Sequence, residues 1–173
     1  MQPRLVVNFV LFQIGWFACV LGAAKQMPWL GVATVIAILA WHLRQAKYPK
    51  KELQLLFVTL VIGGTFDQLM INHQLVNYQA HGWSNAFVPV WILALWAEFV
   101  TVLNVSLRWM RGRNLIAVLF GAIGGPLAYA GAERLGAVSL NNWPMSYIAL
   151  GVGWAVITPL LLKLSEKLDG FSQ

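Results

Sequence analysis

Two acids stand inside apolar runs: Asp67 in GGTFDQLMINH and Glu98 in VWILALWAEFVTVLNVSL. An ionisable side chain at the centre of a membrane helix costs roughly 2.5–3.5 kcal/mol on insertion scales, so its presence asks for a use. A carboxyl so placed can give or take a proton beside an apolar substrate. It can also relay protons, or simply hydrogen-bond a neighbouring helix. Thr59, Gly63 and Asp67 recur at i, i+4 and i+8 on one helix face. The small residues let a neighbouring helix come close, and Asp67 sits just beyond that contact. His73 ends the run and His81 lies in the loop after it. Asp and His together suit acid–base chemistry or a metal, but their spacing matches no metal motif, and no metal is expected. The plainer alternative is an Asp67 that caps a helix end or pairs with Arg134.

Glu98 shares a helix face with Trp91, Thr101 and Val105, and Asn104 and Arg108 continue a slowly winding polar strip. The strip is expected to face other helices. Glu98 is expected to carry its proton unless a cation meets it, because burial disfavours the charged form. Its plain reading is a neutral acid hydrogen-bonded to a neighbouring helix.

A third stretch, GAIGGPLAYAGAERLGA, begins at Gly121. Gly121 and Gly125 form a G-x-x-x-G that permits tight helix contact. Pro126 frees the carbonyl of Ala122 and predicts a broken helix, with Tyr129 one turn beyond. Pro159 predicts a second kink. Among nine tryptophans, Trp29, Trp83, Trp109 and Trp143 fit an aromatic belt at the membrane boundaries. Trp16, Trp91, Trp96 and Trp154 lie deeper, where they either pack a core or line an apolar pocket. Trp41 and His42 read as interfacial, with their polar tips reaching water.

These residues define a candidate site. Asp67, Glu98 and Tyr129 are its acid–base groups, and Asn104, Arg134, His73 and Trp96 are its substrate contacts. The expected setting is an intramembrane pocket that opens outward. Nothing in the pattern names a cofactor.

The elements that must hold these groups are helices. The chain has 173 residues, is 59% hydrophobic and only 10% charged. Soluble domains run at about 25% charged. That gap points to an all-α, polytopic membrane protein. Six spans are expected at about 5–23, 28–43, 53–72, 86–107, 115–131 and 143–162, with the second the shortest. They form a single transmembrane domain over 1–173, with no extramembrane domain to bind a nucleotide. The lone Cys19 excludes an internal disulfide framework. The net charge of +6 sits at the ends of apolar runs, where lipid headgroups account for it. Nucleic acid is not an expected partner; membrane lipids are, together with another membrane protein through the Gly-rich faces.

Ten of the twelve Lys and Arg residues fall on one side, leaving Lys25 and Arg134 on the other. The positive-inside rule makes the first side cytoplasmic, with both termini inside a bacterial inner membrane. The first span is expected to be retained, since Asn8, Gln13 and Trp16 interrupt it in a way that suits a signal peptide poorly.

Several stretches together carry a family resemblance. They are NFVLFQIGW, Asp67 in the third span, PVWILALWAEFVTVLNVSLRW, GGPLAYAGAERLGA and GWAVITPLL. The most specific parts are Leu95-Trp96…Phe99…Asn104…Ser106-Leu107 and Gly125-Pro126-x-x-Tyr129. The chain resembles the bacterial inner-membrane family catalogued as domain of unknown function 2878. The resemblance implies several membrane helices and no established activity. An acid at Glu98 is not part of that pattern, which shifts weight to Asp67. Three functions remain open: an enzyme acting on a lipid or isoprenoid substrate, a small transporter or channel, and a non-catalytic subunit of a membrane complex. The cytoplasmic half shows few polar groups beyond Asn8 and Asn104, so a continuous polar path is not expected.

Overall fold

The computed structural model describes residues 3–172. Six helices occur in chain order: α1 (Pro3–Ala24), α2 (Pro28–Gln45), α3 (Pro49–Asn72), α4 (Val90–Leu103), α5 (Asn114–Arg134) and α6 (Met145–Lys167). Two short strands follow the third and fifth helices: β1 (Val76–Tyr78) and β2 (Val138–Leu140). The helices α1, α3, α5 and α6 are each long and apolar enough to cross a membrane.

The helix ends follow from local chemistry. Pro28 and Pro49 open α2 and α3, where a missing N–H costs nothing and the fixed φ suits a first turn. The odd-numbered helices α1, α3 and α5 stop alike. Two positions beyond each end stands a residue with positive φ: Gln26 at 59°, Gln74 at 55° and Gly136 at 83°. The amide after each one reaches back to close the last turn: Met27 to Gly22 O at 2.7 Å, Leu75 to Met70 O at 2.9 Å, and Ala137 to Ala132 O at 2.9 Å. This is the Schellman arrangement, which satisfies carbonyls the helix would leave open.

The shared stop has a consequence. After α3 and after α5 the chain turns at the same offset into a strand. The two strands pair antiparallel, with Val76 opposite Leu140, Asn77 opposite Ser139 and Tyr78 opposite Val138. Glu133 Oε1 accepts from the Leu140 amide at 2.7 Å and steadies the second strand. The sheet closes one end of the bundle, called here the strand end. The other, the basic end, carries the starts of α1 and α3 and the segment after α6.

The fourth helix is the core. Twelve of its fourteen residues are buried. A helix that is apolar all round belongs inside. It packs against α1, α2, α3 and α6, while α5 lies on α6. Outer faces carry large exposed apolar side chains, among them Phe57, Leu115 and Leu127 at 65% exposure or more. An apolar outer surface around a core that buries polar groups suits hydrocarbon surroundings.

Two expectations are corrected here. The shortest helix is α4, not α2. Its 14 residues begin after Pro89 and end at Leu103, well inside the expected 86–107. At ~1.5 Å per residue it extends only ~21 Å, short of the ~30 Å hydrocarbon thickness. Neighbouring chain covers both of its ends: Trp91 Nε1 donates to Gln79 O at 3.0 Å, and Asn104 Nδ2 to Leu168 O at 3.2 Å. The expected break at Pro126 is also absent: α5 runs through that proline as a single helix. Gly151 of α6 comes close to the Ala122 carbonyl that Pro126 leaves free.

Candidate functional site

Asp67 lies on α3 and is fully buried. Its carboxylate faces the bundle interior and meets donors from three other elements. Tyr78 Oη of β1 donates to Oδ1 at 2.5 Å, and Tyr129 Oη of α5 donates to the same oxygen. Trp96 Nε1 of α4 donates to Oδ2 at 2.5 Å. Trp96 can reach this point because Gly63, one turn before Asp67, has no side chain; a Cβ there would overlap the indole ring. An indole N–H can only donate, so the cluster presents donors to a carboxylate with no cation among them.

Beside Asp67 lies a cavity of about 450 Å³. Its walls come from α1, α4, α5 and α6, with Trp91, Trp96, Phe99, Tyr129 and Trp154 on the inner side. Trp96 and Trp154 stack with ring centres 4.7 Å apart and planes 11° from parallel. Phe99 stands edge-on to both, at 6.3 and 5.5 Å. Gly121 and Gly125 let α5 close onto α6: a Cβ at Gly125 would fall inside the Trp154 ring. Gly124 faces open space. The rim residues Phe9 and Phe17 of α1 and Phe120 and Leu127 of α5 are exposed on the outer surface. The slot therefore opens sideways between α1 and α5. Its volume lies within the ~300–1,000 Å³ of small-molecule sites.

The other expected site residues lie elsewhere. Glu98 is fully buried but points to the opposite side of α4, against Gly15 of α1. Neither of its carboxyl oxygens has a hydrogen-bond partner among the described residues. The polar strip does not act as one unit: Thr101 Oγ1 turns back to Glu98 O, and Asn8 Nδ2 reaches Thr101 O at 3.0 Å. His73 and Arg134 are exposed at the strand end. Asp67 is not paired with Arg134; its partners are the two tyrosines and Trp96.

Asn104 belongs to a second buried polar cluster, at the basic end. Its Nδ2 donates to Glu52 Oε1 at 2.5 Å and its Oδ1 accepts from Arg111. Glu52 also takes the Gly170 amide at 2.8 Å and pairs with His42 Nε2 at 2.9 Å. Arg111 and Arg108 both bind Asp169, each at 2.8 Å. The Arg4 guanidinium stacks over the Phe171 ring at 4.3 Å. The tail after α6 thus ties together the ends of five helices. His42 is buried by this pairing rather than reaching water, and the basic half holds more buried polar groups than its sequence suggests. Burial works against the charge on Asp169, but hydrogen bonds from Arg111 and the Phe171 amide and the charges of Arg111 and Arg108 outweigh it, holding the carboxyl below its usual range.

Two residues at these sites were invisible in sequence. Tyr78 sits in a polar loop, and its pairing with Val138, sixty residues on, holds it over Asp67. Glu52 reads as one charge in PKKE at a helix start. A tyrosine alternating with apolar Val76 was the one available sign of a half-buried strand.

No curated protein and no solved structure matches the chain. A family model described as "Protein of unknown function (DUF2878)" matches residues 5–160, a stretch that contains Asp67, Trp96 and Tyr129. The chain belongs to the DUF2878 family.

Proposed function

We propose that the protein is a multi-pass membrane enzyme that acts on a lipid or isoprenoid substrate admitted from the bilayer into the aromatic slot. The observation that carries this reading is the Asp67 carboxylate, held by Tyr78, Tyr129 and Trp96 at the wall of an apolar cavity. Asp67 is the acid or base. The two phenols and the indole N–H stabilise its charged form when it gives up a proton. Trp96 also forms part of the substrate-facing wall. His73, Arg134, Asn104 and Glu98 have no part at this wall, so substrate contact falls to the aromatic side chains.

Six spans in a bacterial inner membrane complete the proposal, with the basic end cytoplasmic by the positive-inside rule. A membrane-impermeant maleimide checks the orientation. On intact cells it labels Asn85→Cys and leaves Lys50→Cys unlabelled until the membrane is opened; the reverse pattern overturns the assignment.

A transport reading is favoured by one observation, the unpartnered Glu98 carboxyl between the two polar clusters. Against it, no side-chain hydrogen bond links Glu98 to either cluster among the described residues. The discriminating experiment is mass spectrometry of total membrane lipids from a deletion strain, the complemented strain, and one carrying Asp67→Asn at matched protein level. A lipid lost on deletion and restored by wild type but not by Asp67→Asn is expected. Identical profiles in all three strains overturn the enzyme reading.

A further inference from the structure

We infer that the substrate is an unsaturated hydrocarbon chain of the branched isoprenoid type, and that Asp67 protonates one of its double bonds. The inference rests on the enzyme reading and names its substrate and step.

The slot's shape sets the first limit. Phe9 and Val20 line its two ends on α1. Eleven residues of helical rise separate them, about 16 Å. An extended chain fits such a slot better than a compact headgroup does. Polarity sets the second. Asp67 and Tyr129 are the ionisable residues among the described residues that line it, which include no lysine, arginine, histidine or cysteine. An anionic headgroup would find no counter-charge there. Acyl transfer would find no nucleophile paired with a base among the described residues: Ser106 Oγ is bound to Asn8 Oδ1 at 2.5 Å, and Thr158 Oγ1 has no hydrogen-bond partner among them. A saturated chain offers a lone acid nothing to act on. A carbon–carbon double bond does.

The aromatic walls then acquire a use. Proton transfer to an alkene leaves a carbocation, and electron-rich ring faces stabilise cations, Trp best of all. Trp96 touches Asp67 through its N–H and is itself packed between Gly63 and the Trp154 ring, while Trp91, Phe99 and Trp154 border the cavity beside the carboxyl. A cation formed next to the carboxyl lies among these rings and away from water. The three donors on Asp67 occupy lone pairs with which the carboxylate would otherwise capture the cation as an ester.

The step balances without any oxidant or reductant. The O–H bond of Asp67 breaks and a C–H bond forms at the less substituted alkene carbon, using the π pair. The positive charge rests on the more substituted carbon. A C–H bond on its neighbour then breaks, its electron pair becomes the new double bond, and the proton returns to the Asp67 carboxylate. The net reaction is an isomerisation, or a ring closure where a second double bond attacks the cation before the proton leaves.

The test uses the full-length protein in nanodiscs of phosphatidylethanolamine and phosphatidylglycerol, in D2O. The probes are squalene, geranylgeraniol and the neutral lipids extracted from the deletion strain, with squalane as the saturated control. Wild type is expected to wash deuterium into at least one polyene and none into squalane. Asp67→Asn lowers incorporation to background. Trp154→Leu, with Asp67 intact and folding verified by thermal unfolding, lowers it at least tenfold. Absence of deuterium from every polyene overturns the inference. If the lipid profile in cells still depends on Asp67, the enzyme reading stands and only this chemistry falls. Full incorporation by Trp154→Leu overturns the role of the aromatic wall.

Discussion

Asp67 and Glu98 are both buried acids, yet their surroundings separate them. Asp67 has three donors; Glu98 has none among the described residues. Removing the Asp67 side chain leaves two hydroxyls and an indole N–H facing a hole. Each unsatisfied buried donor costs about 1–3 kcal/mol, so Asp67→Ala is expected to destabilise the protein by several kcal/mol. Asp67→Asn keeps an accepting oxygen for Trp96, and its amide can donate to a tyrosine oxygen. It is expected to fold with at most a small drop in thermal midpoint while losing activity. Equal destabilisation by both variants would contradict this account of the cluster. Glu98 gives the opposite expectation. Glu98→Met fills a similar volume and removes an unsatisfied carboxyl, so it raises stability by about 1–3 kcal/mol in detergent unfolding. A loss of stability would mean that the acid has a partner in the folded state. At this scale the sequence pointed to Asp67, because an acid in an apolar run is conspicuous. It could not tell the two acids apart, because burial without partners and burial with three partners look the same along a chain.

At the scale of elements, glycines set the geometry of the site. Gly63 lets the Trp96 indole lie against α3, and Gly121 and Gly125 let α5 close on α6 under Trp154. Gly121 and Gly125 are occupied by contacts within this chain, while Gly124 between them faces open space. Gly63→Ala forces Trp96 to move. Such overpacking costs about 1–3 kcal/mol. The same shift breaks the Trp96–Asp67 hydrogen bond, so the Asp67-dependent lipid conversion falls by more than the loss of folded protein explains. Conversion per folded molecule equal to wild type would detach Trp96 from the site. The apolar runs gave the six helices directly. The ends of α4 were less legible. Hydropathy continues through Val105 and Leu107, but Asn104 leaves the helix to bind Glu52 and Arg111.

At the scale of the whole molecule, the tail after α6 clamps the basic end through Asp169 and Glu52. The Asp169 carboxyl is held below its usual range by Arg111, the Phe171 amide and Arg108, against the effect of burial. A folded-state value below the unfolded ~3.9 makes its contribution to stability complete above that pH and lost as pH falls through the folded value. Wild type is therefore expected to unfold at a higher temperature than Asp169→Asn at pH 6, with the gap closing as pH falls below about 4. A gap that stays constant down to pH 3 would remove the ion pairs as its cause. Composition and run length determined by themselves that this chain is helical, apolar outside and suited to a membrane, because transfer from water to hydrocarbon sums over residues whatever their neighbours. Tertiary structure alone decided which polar groups meet. Tyr78 reaches Asp67 through strand pairing, Glu52 reaches Asn104 and Gly170 through helix packing, and Glu98 is left facing Gly15. Those outcomes depend on the direction of side chains on separate elements, and a hydrogen bond exists only when two such directions converge within about 3 Å.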